Sequence, residues 1–495
     1  MKTYKYIYIG LISLAILSIS SCQLTEDIDD FEPLFSLSAE TGISNESTAE
    51  LALTGAYSGF NQRSGNSGLP ELFQIPSKLS GLAINGFSTI SSPEHIGLIT
   101  NAPIVQGTEA SLGAYTRMYD LINRTNWIIE KVPEISDAEF SNPTRKAEIV
   151  AEAKALRALG HFYILRLFGQ FYDTSSVYGI VVKTAPTRSS EAFPRNTVQE
   201  TYDQINQDLD DAISDAPDLR ARFFTNKTFA KALKAKVQLY MGNYAEAASL
   251  AKDVIDNSGG SFSLAPAYDA IFDNTTNILF NSSEVIFGSK GEPGPGGGVG
   301  IGNSWGFSAV VNGAYVASVN TGTLTINGQV INYDNNRVAS QFVPNQFNEF
   351  NCLKYISNPT EQFEMVYHLR MAEVYLIFAE ANARANNSVT TDALNALNAV
   401  RIRAGATTTG GDGFETYPAT ITLNEFIEAV RIEKYVELGA EQGEEWFDLV
   451  RYHFEDGFDI TTVKPTATTP NRYILPIDVV TIEAGGNVVD QNPGY

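Results

Sequence analysis

The sequence predicts a mainly α-helical protein, a scaffold of stacked helical hairpins interrupted by long irregular inserts that carry minor β-structure. Three observations point there. Apolar side chains recur at steps of three and four through several alanine-rich stretches, short turn signals divide two of those stretches into helix pairs, and one long block drops the period altogether. The clearest stretch runs from Val366 to Gly405. Tyr367, Met371, Val374, Phe378, Ala381 and Ala385 form one stripe, with Leu369, Ala372, Leu376, Ala379 and Ala383 as a second beside it. A helix apolar on two faces lies between neighbours. Asn386-Asn387 breaks the pattern, Thr390, Thr391 and Asp392 offer N-cap chemistry, and a second helix carries Ala393, Leu394, Leu397 and Val400 to a stop at Gly405.

Glu373 and Glu380 fall on one face of the first of these helices, and two facing carboxylates admit a general acid and base reading. Structural pairing is the stronger reading. Arg370 and Arg384 stand at helical spacing from them, Arg401 and Arg403 lie on the partner helix, and buried carboxylates need such partners to stay ionised.

From the N-terminus, Lys2 and Lys5 precede an apolar run from Ile7 to Ile19 and then Ser20-Ser21-Cys22. The run is short for a membrane span and has the layout of an export signal over 1–21. Ile19-Ser20-Ser21-Cys22 resembles the lipobox of bacterial lipoproteins, which implies lipidation of Cys22 and removal of everything before it. The following Gln-Leu-Thr-Glu-Asp-Ile-Asp-Asp, within an acidic tether over 22–45, resembles the signal that sends lipoproteins to the outer cell surface in Bacteroidota-like bacteria. With 34 basic and 57 acidic residues the net charge is −23, which excludes nucleic acid as a partner. Cys352 would be the one cysteine left unmodified, so no intrachain disulfide is expected, and it reads as a small buried hydrophobe. His95, His161, His368 and His453 are scattered without metal-ligand spacing; no metal site and no cofactor are expected.

Leu51, Leu53, Ala56, Tyr57 and Phe60 mark a first helix, followed by about fifty residues rich in Gly, Ser, Asn and Pro that read as a functional loop. Helical patterning returns over Tyr115 to Ile128, with Trp127 as core, then over Ala147 to Phe168 and Asn196 to Asp215. Phe229 to Asp256 turns at Gly242-Asn243-Tyr244 between alanine-rich helices and resembles a tetratricopeptide hairpin, as does 366–405.

Residues 257–350 change character to Gly, Asn, Ser, Thr and aromatics, with short β-like runs at Thr323 and Gln329. Gly291 to Gly302 holds seven glycines and two prolines but lacks any phosphate-binding fingerprint. Just beyond, Trp305, Phe307 and Tyr315 lie among Asn303, Ser304 and Asn312. Aromatic faces stack on the C–H faces of sugars while amides bind hydroxyls, so Trp305, Phe307, Tyr315 and Asn303, with Phe87 from the earlier loop, are the candidate ligand contacts.

The C-terminal part supplies ordered motifs: Arg370-Met-Ala-Glu-Val-Tyr-Leu-Ile-Phe-Ala-Glu-Ala, Val400-Arg-Ile-Arg-Ala-Gly, Glu433-Lys-Tyr-Val-Glu-Leu, Trp446-Phe-Asp-Leu-Val-Arg, Leu475-Pro-Ile and the terminal Gln-Asn-Pro-Gly-Tyr. Leu53-Thr-Gly-Ala-Tyr and Glu152-Ala-Lys-Ala-Leu-Arg-Ala join them from the first half. Together these resemble the SusD/RagB family of outer-membrane nutrient-binding lipoproteins. Two departures stand out: Lys434 where the family has arginine, and Glu441-Gln-Gly-Glu-Glu-Trp446, longer by one residue and without the usual arginine. The resemblance implies one domain over 46–495, comprising an N-terminal helical part (46–256), a ligand-binding insert (257–350) and a C-terminal helical part (351–495). It further implies a non-catalytic, lipid-anchored protein of the outer membrane, facing outward, that captures a glycan and delivers it to a TonB-dependent, SusC-like transporter. Peptide capture within the same family and a surface glycoside hydrolase are the alternative readings; a tetratricopeptide-type scaffold that binds only proteins is a third.

Overall fold

The computed structural model describes residues 39–60, 69–106, 109–272, 282–291, 301–345, 349–355, 364–411 and 413–495. Cys22, the export signal and most of the tether and of the Gly291 to Gly302 segment lie outside the described residues.

The scaffold is helical: α1 (Glu46–Tyr57), α2 (Leu69–Ser80), α3 (Pro93–Ile99), α4 (Glu109–Lys131), α5 (Arg145–Phe168), α6 (Val198–Asp215), α7 (Lys227–Tyr240), α8 (Tyr244–Asn257), α9 (Ile301–Phe307), α10 (Gly313–Thr321), α11 (Met371–Asn386), α12 (Thr391–Arg403), α13 (Leu423–Glu437) and α14 (Glu444–Asp456). Neighbouring pairs α4–α5, α5–α6, α7–α8, α8–α11 and α11–α12 share the closest packing. Local chemistry fixes their ends. Thr197 with Glu200, and Thr422 with Glu425, form reciprocal capping boxes at the starts of α6 and α13. Gly242, at φ +76°, makes the tight reversal between α7 and α8 that a side chain would strain. Most alanines of α5, α7, α8 and α11 are buried, which lets backbones approach where larger side chains would hold them apart.

Among the described residues eight short strands join the helices: β1 (Ala83–Asn85), β2 (Val285–Gly291), β3 (Ala309–Val311), β4 (Thr323–Ile326), β5 (Gln329–Asn332), β6 (Phe342–Pro344), β7 (Phe350–Cys352) and β8 (Glu364–Arg370). They form a sheet in the order β1-β3-β7-β6, an antiparallel pair β2-β8 and a hairpin β4-β5.

Three expectations are corrected here. The helix placed at Val366 begins at Met371; Val366 to Arg370 is strand, antiparallel to β2, with Arg370 in extended conformation (φ −139°). Residues 365–370 are buried on both faces, so the strand reads as an unbroken apolar run that merges with the helical stripe behind it. The stretch after Phe60, expected to be one long loop, contains the buried helix α2 with Pro76 inside it, the strand β1 and the helix α3. Ser77 and Ser80 in α2 donate to the carbonyls of Phe73 (2.8 Å) and Ser77 (2.9 Å), so residues that signal turns in isolation are absorbed by helix and core. Trp127, expected in the core, is half-buried, with the Arg188 guanidinium 4.6 Å above its ring.

Candidate ligand-binding face

Strand β1 leaves the core at Asn85, and the loop behind it is held against the end of α9. The register Ala83↔Val311, Ile84↔Val310 and Asn85↔Ala309 aligns the two chains. Beyond it, the Gly86 amide donates to the Ser308 carbonyl (3.2 Å) and the Ser88 amide and hydroxyl donate to the Phe307 carbonyl (both 3.0 Å). Thr89 Oγ1 (2.6 Å) and Lys78 Nζ (3.0 Å) also donate to Ser308 O. Gly86 is required: a Cβ there would lie 2.5 Å from the Phe307 carbonyl oxygen.

This bracing holds two aromatic rings in solvent. Phe87 is 81% exposed and Phe307 47%, their centroids 6.1 Å apart and their planes inclined at 47°. Ile90, 67% exposed, follows on the same loop. Large rings normally leave water, so two fixed side by side on a hydrogen-bonded platform form a surface with an apolar partner to cover. Close behind, Asn85 Oδ1 is buried without a hydrogen-bond partner among the described residues.

Of the expected contacts, the structure therefore brings Phe87 and Phe307 together. It places Trp305 and Tyr315 elsewhere, which corrects their assignment to an exposed platform. Trp305 is fully buried, and its neighbour Ser304 accepts a hydrogen bond from Gln74 Nε2 on α2 (2.7 Å). The cause is helical geometry: residues two apart on α9 point to nearly opposite sides, so Phe307 faces out because Trp305 faces in. Tyr315, 3% exposed, donates its hydroxyl to the Tyr435 carbonyl (3.1 Å) and meets the Phe342 and Tyr435 rings edge-on. Asn303 opens α9 near its N-terminal end.

Lys78 and His95, beneath the face, carried no sequence signal. Lys78 is fully buried, with Nζ 2.7 Å from His95 Nδ1. Burial pushes the Lys78 amine down to about 7 against the pull of Glu71 and Glu94, while burial and then the Lys78 charge push His95 down to about 4. A cation near its midpoint at neutral pH thus braces the Ser308 carbonyl.

The Glu373 and Glu380 pair is enclosed. Lys236 lies 2.6 Å from Glu373, and Glu380 accepts from Arg451 (2.6 and 2.8 Å), Lys434 (2.9 Å) and Arg384 (2.9 Å). Arg370 turns away from Glu373 and donates five hydrogen bonds, to Glu284, to the Glu441 carboxylate twice, and to the Glu437 carboxylate and carbonyl. Arg337 and Arg403 complete the cage around Glu437. Burial raises the Glu437 carboxyl, but Arg403, Arg370 and Arg337 outweigh it and hold the group well below the usual carboxylate range. The two departures from the family motif join such clusters: Lys434 bridges Glu380 and Asp448, and Glu444 pairs with Lys236 and Arg166. Cys352 is buried, which pushes its thiol up to about 12.

The comparisons with known proteins meet this geometry. The family model described as the SusD family matches residues 301–495, and that described as starch-binding associating with outer membrane matches 91–239. The chain belongs to the SusD/RagB family. A SusD-like protein of Formosa agariphila is 27% identical over 304 residues, 60% of this chain and 53% of that protein. A second, of Bacteroides ovatus, is 24% identical over 390 residues, 69% of this chain and 65% of that one. The alignments thus span about half to two thirds of those relatives. Among solved structures, a SusD superfamily protein of Bacteroides thetaiotaomicron superposes with a TM-score of 0.71 at 21% identity, covering 90% of this chain and 99% of that one. A laminarin-binding SusD-like protein does so with 0.69 at 20%, covering 91% and 100%. At such identity these likenesses show the mainly helical fold.

Proposed function

We propose that this SusD/RagB family chain is a non-catalytic, surface-anchored glycan-binding protein whose capture face is the Phe87–Phe307 ring pair. The observation that carries the reading is the fixed exposure of two rings on a platform of backbone hydrogen bonds. A sugar offers such a surface what it lacks, a C–H face for the rings and hydroxyls for neighbouring polar groups. The likeness to a laminarin-binding fold neighbour supports the ligand class. Trp305, buried in the core, anchors the helix that carries Phe307. Lipidation at Cys22 anchors the chain, and the ligand passes to a TonB-dependent, SusC-like transporter for which this protein acts as a lid. Among the described residues no helix is long and apolar enough to cross a membrane. In this reading, transfer of the ligand inward is the transporter's part.

Isothermal titration of the full chain with a panel of neutral polysaccharides, laminarin included, tests the capture face. Binding should weaken at least tenfold in the Phe87→Ala/Phe307→Ala variant, since each stacked ring contributes about 1–2 kcal/mol. Unchanged affinity with the fold intact rejects the face; binding of peptides alone favours the peptide reading, and turnover of a bound glycan the hydrolase. Mild detergent extraction should recover the protein with a large β-barrel, and recovery of the lipoprotein alone under conditions that keep such complexes together speaks against the lid.

A further inference from the structure

A second concavity lies in the helical scaffold and shares no lining residue with the Phe87–Phe307 face. It is a cleft of about 520 Å³ where the end of α11, the starts of α8 and α13 and the end of α14 converge. Tyr244, Tyr452 and Phe458 contribute aromatic rings, and Asn387 and Asn424 contribute amides.

The charged groups of the cleft are already matched. Arg384 donates to both oxygens of Asp456 (2.9 and 2.7 Å) and to Glu380 (2.9 Å), while Glu428 is held by Arg431 (2.5 and 2.9 Å). An ionic ligand would have to break these pairs to gain one of its own. What remains uncommitted is neutral and polar. The Asn387 and Asn424 side chains are exposed and, among the described residues, make no hydrogen bond. Tyr452, 2% exposed, lines the cleft, and its hydroxyl is buried out of solvent without a hydrogen-bond partner among the described residues. Guanidinium groups stack on two of the rings, Arg384 at 5.4 Å from Tyr244 and Arg431 at 4.3 Å from Phe458, and hold them in place.

We infer that this cleft is a second saccharide subsite, which takes a neutral sugar ring against Tyr244 and Phe458 and reads its hydroxyls with Asn387 and Asn424. The volume falls within the range of small-ligand pockets and accommodates a ring or two, whereas a protein partner would need a broader surface. The inference rests on the glycan reading for its ligand class but not on the Phe87–Phe307 face. Two subsites on one chain hold a polymer by avidity, because a glycan bound at one presents its further units to the other at high effective concentration.

The test uses the side-chain amide signals of asparagine in the full chain, assigned by Asn387→Ala and Asn424→Ala, with glucose, galactose, mannose, xylose and laminari-oligosaccharides as probes. At least one probe should shift the Asn387 and Asn424 signals saturably, in the wild type and in Phe87→Ala/Phe307→Ala alike. Tyr244→Ala should weaken that response about tenfold, and Asn424→Ala, at an exposed helical position, should weaken it without disturbing the fold. Saturable shifts only at Asn85 and its surroundings would leave the proposed function standing and overturn the second subsite. Absence of any saturable shift at Asn387 and Asn424 overturns it as well.

Discussion

The interior around Arg370 and the surface around Phe87 solve opposite problems. At Arg370 every donor has an acceptor, and Glu284, Glu437 and Glu441 are fixed from several sides without contact with water. At Phe87 the backbone is tied down while the ring is left 81% exposed. Charge is hidden in one place and apolar surface displayed in the other, each against the usual preference. The first arrangement holds helices from distant parts of the chain in one register; the second spends that rigidity on presenting a surface.

Removing one partner from the interior should give the largest effect. Arg370→Met leaves Glu284, Glu437 and Glu441 short of a cation in a site closed to water, and unpaired buried charge costs about 3–5 kcal/mol. Chemical denaturation should report that loss. A stability change below about 1 kcal/mol would mean that water reaches the cluster and that the contrast with the surface is false.

Trp305 lies between the two regions, in the core but on the helix that carries Phe307. Trp305→Ala should destabilise the protein by about 3–4 kcal/mol, as deletion of a buried ring does. Trp305→Phe keeps most of the volume and removes an indole N–H that has no acceptor among the described residues, so it should retain both stability and glycan affinity. Loss of affinity in Trp305→Phe at unchanged stability would return Trp305 to the ligand and merge the two regions.

The contrast also explains what the sequence could reveal. The motifs that carry the family resemblance are the parts of the interior that touch one another. Tyr57 donates to Glu152 (2.7 Å), joining Leu53-Thr-Gly-Ala-Tyr to Glu152-Ala-Lys-Ala-Leu-Arg-Ala. Asn492 near the terminus donates to the carbonyls of Phe168 and Leu475. Such residues are fixed in type and spacing by their partners, so helices, hairpins and ion pairs could be read from the chain. Arg370 was a partial miss: its partners, Glu284 and Glu441, are far off in sequence, and helical spacing pointed to Glu373 instead. The face has no such grammar. Phe87 and Phe307 stand out in the sequence only as aromatic residues near glycine, a signal that fits Trp305 and Tyr315 equally well. Only the helical turn of α9 and the strand pairing β1–β3 separate the rings that face out from those that face in. Lys78 gave no signal because a lone lysine on a predicted loop is ordinarily solvated.

The smallest effect, and the one whose sign is least obvious, concerns Glu445. Its side chain is 1% exposed, accepts from the Ser77 hydroxyl through one oxygen, and leaves the other without a partner among the described residues. Burial, reinforced by the neighbouring Glu444 charge and opposed by the Ser77 hydrogen bond, pushes its carboxyl up to about 7. The interior here departs from its own rule, with a carboxylate that has no cation. In the unfolded chain the group ionises near its ordinary 4.5, so between that value and 7 the unfolded state releases a proton that the folded state keeps. The contribution of Glu445 is therefore neutral at acid pH, grows more destabilising as pH rises through this window, and levels off above it. Glu380 and Glu437, held below the usual range by their arginines, act in the opposite sense and lose their stabilisation as pH falls. Glu445→Gln keeps an acceptor for Ser77 and removes the titration. It should match the wild type near pH 4 and exceed it by about 3 kcal/mol at pH 8, the free energy of a shift from 4.5 to about 7. Denaturation midpoints at the two pH values check this. A gain that is the same at both would show that Glu445 acts through packing alone, and a loss at pH 8 would show that a cation reaches it and that the interior pairs every charge after all.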